Sequence, residues 1–65
     1  MDNEQIMKAH QYLYYVLGFP VLTDQEYDRF CSDNGLFGGG GSDRDEDYSA
    51  DTKALADAIL ELGVL

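Results

Sequence analysis

Few side chains here are of the kinds that make or break bonds. His10 is the one histidine, Cys31 the one cysteine, and Lys8 and Lys53 the only lysines. A Cys31/His10 nucleophilic pair is one reading, but no serine or acid sits at an obvious catalytic spacing to complete it. Packed structural residues are the commoner use of both types. The run Gly38 to Gly41 lacks the Lys-Ser/Thr that a phosphate-cradling loop needs. Asp43, Asp45, Asp47, Ser49 and Asp51 alternate like calcium-loop ligands. Counted from Asp43, however, Tyr48 stands where such a loop wants glycine and Ala54 where it wants a bidentate glutamate. A solvated acidic run leading into a helix explains the alternation better, and no metal site is assigned. No catalytic residue emerges, so the chain reads as a binding protein and not as an enzyme.

Charge narrows the choice of partner. Thirteen acidic residues stand against four basic ones, a formal net charge of −9 on 65 residues. Phosphate contacts need clustered Lys and Arg, so direct binding of DNA or RNA is not expected. A partner with a basic surface is favoured through long-range steering. No apolar run approaches the ~18 residues of a membrane span, and Cys31 alone cannot form a disulfide within the chain. A cytoplasmic location is the expectation.

The elements that must position these residues are helical. Ile6, His10, Leu13 and Leu17 recur at helical spacing on one face, so the pattern predicts a helix over about 2–17. It opens on a capping box of Asp2 with Gln5 and closes at Gly18 and Pro20. Thr23 and Glu26 form a second capping box, predicting a helix over 24–33 that ends at Asn34-Gly35 and buries Tyr27, Phe30 and Cys31. The short 18–23 connection suits an antiparallel hairpin. Residues 38–47 read as a flexible Gly-rich and acidic linker, with Leu36 and Phe37 tucking back before it. A third helix is expected over about 50–62, with Leu55, Ala56, Ile59 and Leu62 inward, covering the hairpin's apolar face. The expected product is one small all-α domain spanning 1–65.

One stretch carries a more specific signal. Tyr12-Leu13-Tyr14-Tyr15-Val16-Leu17, then Pro20, then Thr23-Asp24-Gln25-Glu26-Tyr27-Asp28-Arg29, resembles the N-terminal module (domain Ia) of bacterial NAD-dependent DNA ligases. The likeness covers His10 to Phe30, about a third of the chain. In that family the helical pair closes over the nicotinamide mononucleotide half of NAD. The resemblance implies that Tyr14, Tyr15 and Tyr27 contact the nicotinamide nucleotide, with Asp24 and Asp28 as carboxylate partners. Helical spacing agrees, since Asp24, Tyr27 and Asp28 share one helix side. Tyrosines would stack a cationic ring that the carboxylates neutralise. Tyr15 replaces a histidine of these ligases, and Gly18 replaces a common acidic residue. The catalytic Lys-x-Asp-Gly motif is matched by neither Lys8, in Lys-Ala-His, nor Lys53, in Lys-Ala-Leu. Ligase activity is therefore not expected. No surface for the ligand's phosphate is evident, so affinity should be weak.

Two functions follow as expectations. The first is a non-catalytic acidic protein acting by protein contact, as inhibitor or accessory of a host nucleic-acid enzyme or defence complex. Its carboxylates would mimic DNA, and Asp43, Asp45, Glu46, Asp47 and Asp51 would be the contact residues. A short, charge-rich chain with a ligase-like fragment suits a phage or another mobile element. The second is a nicotinamide mononucleotide or NAD binder using Tyr14, Tyr15, Asp24, Tyr27 and Asp28. No cofactor is required in either, and so small a core leaves room for a homodimer.

Overall fold

The apolar repeat that begins at Ile6 winds into a helix, α1 (Asn3–Tyr12), but the helix does not stay α to its end. From Leu13 to Leu17 the backbone widens into a π-helical turn. Gly18 closes it in the left-handed region at φ 71°, a conformation glycine adopts without steric cost. The backbone N–H groups of Gly18 and Phe19 both donate to the carbonyl of Leu13. The computed structural model describes residues 3–36 and 41–63. The capping role read for Asp2, the tucking of Phe37 and the conformation of 38–40 lie outside them.

The second helix, α2 (Asp24–Asp33), matches its expected span because its start is chemically specified. Glu26 N–H donates to Thr23 Oγ1 at 3.1 Å, and Thr23 N–H donates back to Glu26 Oε1 at 3.0 Å. Such a cap contributes about 1 kcal/mol. The third helix, α3 (Ala50–Leu62), starts on the same logic, with Ser49 Oγ accepting from Thr52 N–H at 3.1 Å. Among the described residues there is no β-strand, and the all-α class is as expected.

The core lies chiefly between α1 and α3. Ala9, Tyr12, Leu13, Tyr48, Ala56 and Ile59 form it, with Val16, Leu17, Val21 and Leu55 packed around the edge. Leu13, Ala9 and Ala56 are fully buried, and the two alanines let the helices approach closely. Leu62 was expected inward and is instead 72 % exposed. Leu62 is the last residue of α3, directly before the Gly63 cap. The second helix touches α1 more lightly. Asn3 Nδ2 donates to Asn34 Oδ1 at 2.7 Å, and Gln11 Nε2 donates to Tyr27 Oη at 2.8 Å, so the contacts run in opposite order along the two helices. Cys31 is its one buried residue; Tyr27 and Phe30 are half-buried. Leu36 is half-buried as well, its N–H bonded to the Cys31 carbonyl at 2.8 Å.

From Gly41 onward the acidic segment makes local turns and contacts with the helices. Gly41 and Ser42 are half-buried, and Asp45–Asp47 form a 3-10 turn. Tyr48 is buried edge-on against Tyr12, ring centroids 5.2 Å apart, and its hydroxyl donates to the Ser42 carbonyl. The buried Tyr48 ring joins this segment to the core formed by α1 and α3.

Candidate functional site

The π-helical turn sets up the site. A turn closed over five residues instead of four rotates the side chains that follow it. Tyr14 and Tyr15 are left a little under half exposed, rings edge-to-face with centroids 4.8 Å apart, while Leu13 stays in the core. Pro20, Val21 and Leu22 carry the chain across to α2, whose first turns present Asp24, Tyr27 and Asp28. Between these elements lies an open cleft of about 360 Å³. All five residues assigned to nucleotide binding line it: Tyr14, Tyr15, Asp24, Tyr27 and Asp28.

Sequence reasoning missed part of the wall. Gln11 lines the cleft and holds Tyr27 Oη, and Pro20, Val21 and Leu22 give it an apolar side. Burial pushes the Tyr27 phenol up to about 12, so the hydroxyl stays protonated through the neutral range. Tyr15 is braced from behind. A Cβ added at Gly41 would fall 2.8 Å from the Tyr15 ring and 2.9 Å from Gln11 Cβ, closer than carbon atoms pack. The last glycine of the run is thus a close-approach position.

His10 also lines the cleft, at 4 % exposure. The sequence places it on the helical stripe, with a pair to Cys31 as the alternative, and gives it no part in ligand binding. Its place one turn before Tyr14 was the available signal for a second role. Its ring stands edge-on to Phe30 at 6.5 Å, and among the described residues neither imidazole nitrogen has a hydrogen-bond partner. A nucleophilic pair with Cys31 is therefore not formed. Burial lowers the imidazole's proton affinity and favours the neutral ring. The cleft wall accordingly holds two carboxylates, three phenols, one neutral imidazole and one amide, with no Lys or Arg among its lining residues. Such a wall suits a flat, positively charged ring that also carries polar substituents.

The second set of assigned residues is arranged differently. Asp43, Asp45, Glu46, Asp47 and Asp51 are all exposed. Three of them have internal partners. Asp45 accepts from Tyr12 Oη at 2.7 Å and pairs with Lys53 Nζ at 2.6 Å, contacts that hold its carboxyl below the usual range. Glu46 pairs with Arg44, and Asp47 accepts from Ser42 Oγ. Among the described residues no group of three or more His, Cys, Asp or Glu side chains is gathered to hold a metal ion. No helix among them is long and apolar enough to cross a membrane.

Comparison with known protein families, curated proteins and solved structures finds no match to this chain.

Proposed function

We propose that the protein is a non-catalytic binding module for nicotinamide mononucleotide, free or as the nicotinamide half of NAD. One observation carries this reading: Tyr14, Tyr15, Asp24, Tyr27 and Asp28 line a single cleft. The tyrosines offer π-faces and edges to the ring, and Asp24 and Asp28 offset its positive charge. The absence of a basic lining residue leaves the phosphate facing solvent, against a protein of net charge −9. Weak affinity follows.

Titration with nicotinamide mononucleotide while following backbone amide resonances tests the proposal. Shifts confined to Tyr14, Tyr15, Tyr27 and their neighbours are expected. A spectrum unchanged up to millimolar ligand would remove it.

A second reading, contact with a basic protein as inhibitor or accessory, rests on the exposed carboxylates of the acidic segment. Among the described residues, Asp43 and Asp51 have no side-chain hydrogen bond or ion pair, so their charge is available to a partner. Capture of a basic partner that falls steeply with added salt is the expected signature. Capture insensitive to salt would sink that reading.

A further inference from the structure

The imidazole of His10 is the one polar side chain among the described residues that is buried with both of its hydrogen-bonding atoms unmet. Such groups are rare in folded proteins, because water's hydrogen bonds are lost and nothing replaces them. A leucine or phenylalanine would fill the same place beside Phe30 without that penalty. His10 is also part of the cleft wall, next to Gln11 and one turn from Tyr14. Resting on the nucleotide reading above, we infer that His10 is a specificity-determining contact that recognises the carboxamide of the nicotinamide ring.

The chemistry of the neutral imidazole selects the group. It carries one N–H donor and one bare nitrogen acceptor. A primary carboxamide has an N–H₂ donor and a carbonyl acceptor, so it complements either end of the ring. A carboxylate only accepts, and in this cleft it would face Asp24 and Asp28 as well. Both imidazole nitrogens are shielded from bulk water although the residue lines the cleft, so contact with a ligand seated between the tyrosines requires the ring to turn toward it. The cleft therefore favours nicotinamide mononucleotide over nicotinic acid mononucleotide, and over an analogue bearing a plain pyridinium ring.

The test uses the full chain with selectively ¹⁵N-labelled histidine, and nicotinamide mononucleotide and its plain pyridinium analogue as probes. The expected result is that the nicotinamide ligand moves both the tyrosine amides and the His10 ring nitrogens, and binds about three- to ten-fold more tightly than the analogue, the scale of one neutral hydrogen bond. His10→Leu should abolish that difference while folding at least as stably as the parent, and His10→Gln should restore part of it. If the tyrosine amides respond but the imidazole does not, or if His10→Leu still discriminates, the role of His10 is overturned and the nucleotide reading stands. If neither tyrosines nor imidazole respond, both fall. The imidazole measurement is made on the unsubstituted protein, so it decides the question even if His10→Leu does not fold.

Discussion

The cleft and the acidic segment are both built from carboxylates and tyrosines on short helical frames, and they differ in where the hydrogen bonds go. Around the acidic segment, Asp45, Glu46 and Asp47 are engaged by Tyr12 and Lys53, by Arg44 and by Ser42. In the cleft, Asp24 and Asp28 have no side-chain partner among the described residues, and His10 has none at either nitrogen. Bonding capacity met within the chain holds the fold together. Capacity left unmet in a concave place is what a ligand can use. The density of negative charge, highest over residues 43–51, does not distinguish the two uses.

Leu13 is fully buried in the core that anchors Tyr48 and lies next in sequence to Tyr14, so its truncation should have the largest effect. Leu13→Ala is expected to cost about 2–5 kcal/mol, enough to unfold a domain this small. Helical circular dichroism should collapse, and survival of a cooperative transition would show that the core is not where we place it. Gly41→Ala couples the regions by pressing a methyl group against Tyr15 and Gln11. A loss of about 1–3 kcal/mol together with weaker ligand binding is expected, measured by urea unfolding and titration. Stability lost with binding unchanged would show that Tyr15 is not a working wall of the cleft.

Smaller effects should separate the two. Asp28→Asn is expected to leave stability within about 0.5 kcal/mol and to weaken nicotinamide mononucleotide about two- to five-fold, as for an exposed charge contact. Asp45→Asn should do the reverse, lowering the melting temperature and leaving affinity unchanged. An exchange of these outcomes would break the comparison.

The pH dependence is the finest probe. His10 has a lowered folded proton affinity, so the unfolded chain takes up its proton first and stability should fall as pH drops below about 6.5. Asp45 is depressed below the ordinary carboxylate range, so its contribution persists above about 3.8 and is lost only as pH falls through its lowered folded value. The cleft should therefore loosen at milder acidity than the acidic segment, which residue-resolved hydrogen exchange can follow. At the alkaline end, Tyr27 keeps its proton to about 12, so stability should decline from about 10 upward; Tyr12, bonded to Asp45, and buried Tyr48 are raised as well, so three of the phenols should titrate late by ultraviolet absorbance.

How much was legible varies with the range of the interaction. The second helix could be read to its boundaries, because Thr23 and Glu26 satisfy each other across three residues. The third could be read nearly as well from Ser49 and the spacing of Ala56 and Ile59. The five cleft residues were legible as a set, because two short runs and the bend between them hold the whole pattern. Hidden from view were the π-helical turn at Leu13–Leu17, the burial of Tyr48, the Tyr12–Asp45–Lys53 network and the exposure of Leu62.

Local chemistry thus dictated the helices, their caps and the gathering of tyrosines and aspartates near one bend, since each of those depends on neighbours within a turn or two. Which polar groups would find partners could not be settled along the chain. Asp45 met Tyr12 across 33 positions, Gln11 met Tyr27 across 16, and His10 met no partner among the described residues. Only the packing of α1 against α3, with α2 alongside, brings such distant groups close or leaves them stranded.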